Sequence, residues 1–133
     1  MTSINRILLI GTVAADPEKH TTRSGQIITT FSLMTHRTFT SDGDPKEVTD
    51  YHRVSAAGAL AERCADALRK GQAVFIDGMI LNRAYEHNGE RKYVTEIRAE
   101  EVAALEFRRR DGYQQLTLVA LPEKSEVLAE QSH

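Results

Sequence analysis

Arg37 with Phe39, Tyr51 with Arg53, and Arg83 with Tyr85 each set an aromatic residue and an arginine two positions apart. A ring face receives an unstacked base and a guanidinium meets a phosphate, so the combination suits holding a single nucleic-acid strand with little regard to its sequence. Residues two apart on a strand leave from the same side, so each pair shares a face provided no bulge intervenes. The competing reading is of ordinary strand aromatics beside solvated arginines, both common on half-exposed sheets. Repetition on three separate segments favours the first reading, with the rings expected together on one exposed surface.

To present such pairs the chain must be built of strands. Ile7 to Ile10, closing at Gly11, is a continuous apolar run suited to a strand buried on both faces, and Asp16-Pro17 interrupts the chain beyond it. After a turn signal at Ser24-Gly25, IITTFSLMTHRTF is rich in β-branched and aromatic residues and reads as the second strand. Ser41, Asp42, Gly43, Asp44 and Pro45 read as a polar, mobile loop before a third strand from Thr49 to Ala56. Then the period changes: Leu60, Ala61, Cys64, Ala65 and Leu68 fall at helical spacing, with Gly71 as the stop. AVFIDGMILNRAY and KYVTEIRAEEV are two further strands joined by His87-Asn88-Gly89-Glu90, whose Asn-Gly pair signals a hairpin. Three strands, a helix and two strands is the order of a five-stranded OB barrel with its helix between strands three and four. The expected fold is therefore all-β, an OB domain over residues 1–110 followed by a C-terminal extension over 111–133. Within that extension Tyr113 to Leu121 reads as an added strand or hairpin arm, and Ser125 onward as the start of a short helix.

Composition narrows the functions. At 133 residues and 41% hydrophobic content there is material for one ordinary core and no second domain. The formal charge is -2, but its distribution is uneven: 16 Lys and Arg stand against 15 Asp and Glu through Arg110, and 1 against 4 beyond it. Arg108-Arg109-Arg110 is the densest positive cluster, open between an extended phosphate track and a solvated connection after the fifth strand. Arg6, Arg69 and Lys70 are candidates for phosphate contacts at the rim, although the last two also suit a helix C-terminus through its dipole. Phe31 and Phe75 lie in apolar surroundings and are expected in the core, while Tyr93 shares parity with both Arg91 and Ile97 and stays open.

One cysteine, Cys64, rules out an internal disulfide framework and points to a reduced thiol in the cytosol; the opening apolar run is far too short for a membrane span and carries no cleavage-type signal. No Gly-rich phosphate loop or metal-ligand spacing is present, so no enzyme, cofactor or metal is expected. Cys64 with His52 as nucleophile and base is the weaker reading of a small residue on an inward helix face, and Asp42 with Asp44 reads as a turn rather than a calcium loop.

Taken in order, NRILLIGTVAADPE, SGQIITTFSLMTHRTF, YHRVSAAGALAE, LRKGQAVFIDGMI and ERKYVTEIRAEEV resemble the successive signature blocks of the bacterial single-stranded DNA-binding protein family, over roughly residues 4 to 105. The resemblance implies an OB fold that pairs into dimers and usually tetramers and wraps single-stranded DNA. By position, Phe39, Tyr51 and Tyr85 occupy places where such proteins typically carry tryptophan, and His52 falls in a motif near subunit contacts, a strand histidine being the plainer alternative. Departures are visible too. Ala57 stands where a fourth stacking aromatic is usual, basic positions are lost at Ala59 and Leu81, and EVLAEQSH replaces the usual flexible linker and acidic tip that recruits replication and repair proteins. These imply weaker binding at ~1–3 kcal/mol per stacked base and put tail-mediated recruitment in doubt. The rival reading keeps the OB oligomer but makes it a protein-interaction or primosome-type accessory module with marginal DNA contact.

Overall fold

The computed structural model describes residues 1–122; the helix expected from Ser125 lies outside them. The elements run in the order β1 (Ile7–Val13), β2 (Glu18–Thr21), β3 (Ile27–Ser41), β4 (Asp44–Ala57), α1 (Gly58–Ala67), β5 (Ala73–His87), β6 (Glu90–Arg110) and β7 (Tyr113–Ala120). Strand pairing runs β1-β5-β6-β4-β3, and β1 returns to β3 through Thr12–Met34 and Val13–Leu33, which closes a ring of five strands. This is the expected barrel, with β2 and β7 added on β3 and β6.

The ring closes around inward side chains: Val13, Phe31, Leu33, Val54, Val74, Ile76 and Ile97 are buried together. Ala61 and Cys64 join them from the helix and Leu68 from just beyond it; the helix packs on β3 and β4 and accepts the Thr29 hydroxyl at the Ala61 carbonyl, 2.7 Å. Burial pushes the Cys64 thiol up to about 12, because the thiolate would lie in apolar surroundings. The His52 ring instead meets the Thr35 hydroxyl at 2.7 Å. Where β1 crosses β3, only glycine fits: a Cβ at Gly11 would run into the Met34 carbonyl oxygen and crowd Leu33.

Three hairpins turn on an Asx-Gly pair with both residues at positive φ: Asp42-Gly43, Asn88-Gly89 and Asp111-Gly112. That is the two-residue turn whose twist matches paired strands. Asn88-Gly89 is where the sequence placed it. The mobile loop expected at residues 41–45 is instead the Asp42-Gly43 turn, with Ser41 opposite Asp44 and Thr40 opposite Pro45. Proline is tolerated because this end of β4 pairs with β3 alone, β6 joining only at Val54 and Ser55. The helix also ends earlier than Gly71 implied. Leu68 is extended and buried, its N–H donates to the Cys64 carbonyl, and Gly71 serves the turn after it.

Phe75 is corrected outright. Val74 and Ile76 face the core, so Phe75 between them points outward, opposite Ile10 on β1 and Ala103 on β6. The arginine run 108–110 is not a connection either, because it forms the end of β6 opposite Gln115, Gln114 and Tyr113.

Candidate nucleic-acid interface

Directly opposed strand residues project to the same side, so the register sorts the candidate residues by face. Ser55 of β4 stands beside Arg98 of β6, and Arg98 opposite Met79 of β5. Stepping by twos puts Tyr51, Arg53 and Ser55, then Glu96 and Arg98, then Arg83 and Tyr85 on one outward face. Met34 and Ser32 of β3 join it opposite Tyr51 and Arg53. Tyr51 is 66% exposed and Tyr85 49%, so both rings have a free face despite belonging to the same surface as buried polar groups.

Between the rings lies a network. The Glu96 carboxylate is 4% exposed, and its Oε2 accepts from Arg53 Nε at 3.3 Å and from Arg83 Nη2 at 3.0 Å. Its Oε1 accepts from the Ser55 hydroxyl at 3.2 Å, and that hydroxyl in turn accepts from Arg98 Nε at 2.9 Å. A buried carboxylate is costly unless paired, and here two guanidiniums and a hydroxyl compensate it. Both guanidiniums still emerge, Arg53 being 51% and Arg83 57% exposed. A hollow of about 410 Å³ beside Tyr51 and another of about 510 Å³ beside Tyr85 meet at Arg53, which lines both.

The third pair is elsewhere. Pairing of β3 with β4 runs without a shift, Arg37 standing opposite Val48 and Phe39 opposite Lys46, while Tyr51 stands opposite Met34. Arg37 and Phe39 therefore continue the side that carries Phe31 and Leu33 into the core, and leave the projecting ribbon on the face away from Tyr51 and Arg53. The expectation of three pairs on one surface is corrected to two, because parity holds within a strand while the turn sets it between strands. Phe39 is 45% exposed on its own face. Arg37 donates from Nε to Asp50 at 2.6 Å, which raises the guanidinium's proton affinity and holds the Asp50 carboxyl below the usual carboxylate range.

The remaining candidates are tied down in various ways. Arg6 donates from Nε and Nη2 to the Asp77 carboxylate at 3.1 and 2.8 Å. Arg69 Nη1 reaches back to the Ala65 and Leu68 carbonyls, closing the end of α1 as a C-terminal arginine does. The Lys70 backbone N–H donates to Asp16. His52 shares the Arg37 face through its bond to Thr35. Tyr93 is exposed, with the Arg91 guanidinium 5.8 Å from its ring centroid, and stands opposite Ala84 on the reverse side from Tyr85. Sequence reasoning missed Glu96, Ser55 and Arg98. The one available signal was Glu96 two positions from Arg98, and Glu100 stands equally close on the other side.

A second outward region is apolar. Leu8 and Ile10 of β1, Phe75 of β5, Phe107 of β6 and Leu116 and Leu118 of β7 share the outer side of the sheet, and all but Phe75 are well exposed. The Ile7–Gly11 stretch of β1 beside them has a neighbour on one edge only among the described residues.

Comparison with known proteins locates this arrangement. A model of the single-strand binding protein family matches residues 4–105. The chain is 41% identical over 97 residues to single-stranded DNA-binding protein 1 of Chlorobaculum tepidum, covering 71% of this chain and 60% of that protein. It is 42% identical over 106 residues to the single-stranded DNA-binding protein of Clostridium tetani, covering 78% and 72%. Among solved structures, a Plasmodium falciparum SSB in complex with ssDNA superposes with a TM-score of 0.68 at 26% identity, covering 90% of this chain and 97% of that one.

Proposed function

The chain belongs to the single-strand binding protein family, and from that premise we propose that it binds single-stranded DNA with little sequence preference, in replication, recombination or repair. The observation that carries this is one outward face with two exposed rings, Tyr51 and Tyr85, and the guanidiniums of Arg53, Arg83 and Arg98 between them. Rings on such a face take successive bases while the cations track the phosphates. Phe39 and Arg37 on the reverse of the β3–β4 ribbon give the strand a second surface to run along, with Arg6 and Lys70 as further phosphate contacts. A non-catalytic role suits a face on which both oxygens of the Glu96 carboxylate are engaged, by Arg53 and Arg83 and by Ser55.

The test is a titration of fluorescein-labelled oligo-dT against duplex of equal length at several salt concentrations. The single strand is expected to bind more tightly, with log K falling against log[salt] by about 0.7 per phosphate neutralised. No preference for the single strand at low salt would overturn the proposal and favour the protein-interaction module.

The second partner is another copy of the chain. Leu8 and Ile10 expose apolar surface on the open-edged β1, Leu116 and Leu118 extend it along the same outer side of the sheet, and a two-fold partner covers this surface and the edge at once with the same residues. Because Ile10 and Leu118 are exposed, Ile10→Lys with Leu118→Lys is expected to leave the barrel folded and to shift the mass in solution toward the monomer. Light scattering that shows the parental mass in the double variant would place the interface elsewhere.

A further inference from the structure

Glu96 looks at first like a liability, a negative charge in the middle of a surface that must attract phosphates. Its surroundings say otherwise. It gathers side chains from three strands: Arg53 and Ser55 from β4, Arg83 from β5 and, through Ser55, Arg98 from its own strand β6. Three guanidiniums to one carboxylate leave the cluster with surplus positive charge. What Glu96 removes is freedom, since an unpaired arginine on a half-exposed strand samples many rotamers and must lose them on binding. Arg53 is held by Nε alone and Arg83 by Nη2, so each keeps other N–H groups directed away from the carboxylate. Arg53 stands where the hollow beside Tyr51 meets the hollow beside Tyr85. A strand stacked on both rings must carry its backbone past that point.

We infer that Glu96 is a positioning residue: by clamping Arg53 and Arg83 it fixes two guanidiniums between the stacking rings, set to receive the phosphates that link the stacked bases. The inference rests on the single-strand-binding reading above and deepens it. It makes a claim opposite to that of charge alone. Glu96→Gln adds net positive charge to the face, so bulk electrostatics predicts tighter binding and a steeper salt dependence. Positioning predicts weaker binding and a shallower one, because the loosened guanidiniums no longer meet their phosphates.

The experiment measures oligo-dT affinity across salt concentrations for Glu96→Gln and for Arg53→Lys with Arg83→Lys, after thermal melting and solution mass have been compared with the parent. The lysine pair keeps every charge and loses only the planar fork. Both variants are expected to bind roughly tenfold more weakly than the parent, and Glu96→Gln to lose about 0.7 from its salt slope for each phosphate contact released. Parent-like or tighter binding by either folded variant overturns the inference, and if Glu96→Gln does not fold, the lysine pair alone decides. Weakened binding by Tyr51→Ala and Tyr85→Ala beside parent-like binding by these two leaves the function standing and removes the positioning role. A parent that ignores oligo-dT removes both.

Discussion

The chain carrying both Tyr51→Ala and Tyr85→Ala is expected to lose about 2–6 kcal/mol of affinity for single-stranded DNA, since each stacked base contributes ~1–3 kcal/mol. That is roughly a 30-fold or greater rise in Kd. Both rings are largely exposed, and neither makes a side-chain hydrogen bond among the described residues, so the melting temperature and solution mass should match the parent. Tyr51→Phe with Tyr85→Phe is the control, because it keeps both π faces and removes only the hydroxyls. The phenylalanine pair should bind as the parent does. Equal affinity in parent and alanine variant would show that the strand passes elsewhere, with the reverse of the β3–β4 ribbon, where Phe39 lies, as the next surface to test.

Gly11→Val is expected to destabilise the fold by about 3 kcal/mol or more, at the upper end of what overpacking a core costs. The physical reason is that the obstacle is backbone. A side chain at position 11 meets the Met34 carbonyl and the Leu33 side chain, where β1 passes across β3 to close the ring. Leu33 is fully buried and Met34 is fixed by pairing with Tyr51, so neither can yield without opening the seam. A drop in Tm of roughly 10 °C is expected for a domain of this size, measured at equal protein concentration because association raises apparent stability. An unchanged melting temperature would mean that the seam between β1 and β3 is looser than its geometry implies.

Much of this architecture is legible in the sequence, and the parts that are not have identifiable causes. Local chemistry reads well: Asn88-Gly89 between two alternating runs is a hairpin, and Ala61 and Cys64 at helical spacing are the buried side of α1. The same chemistry at Asp42-Gly43 reads as a loop because Pro45 masks the strand that resumes at Asp44. β2 is invisible. EKHT has no apolar alternation and every residue is exposed, so its strand state comes from pairing with β3 and nothing in its own side chains. Phe75 is misplaced by its sequence setting because AVFI is apolar throughout, which conceals which residues point inward.

The site shows the same division. That Tyr51 accompanies Arg53, and Arg83 accompanies Tyr85, comes from a period of two; that these pairs share a face while Arg37 and Phe39 do not depends on strand order and register, which no single segment encodes. Glu96 is the extreme case. Its partner Arg53 is 43 residues distant along the chain, and only the parallel pairing of β4 with β6 brings them within hydrogen-bonding distance.

The solitary thiol, shut inside against the core with its ionisation suppressed, makes the molecule a convenient optical instrument. The chain has one cysteine and no tryptophan, so a cysteine engineered on the rim of either hollow would be the sole site a maleimide dye finds under native conditions, with no indole emission behind it. A single such label would report arrival of a strand directly, and labels beside Tyr51 and Tyr85 in turn would show in which order the two stations fill.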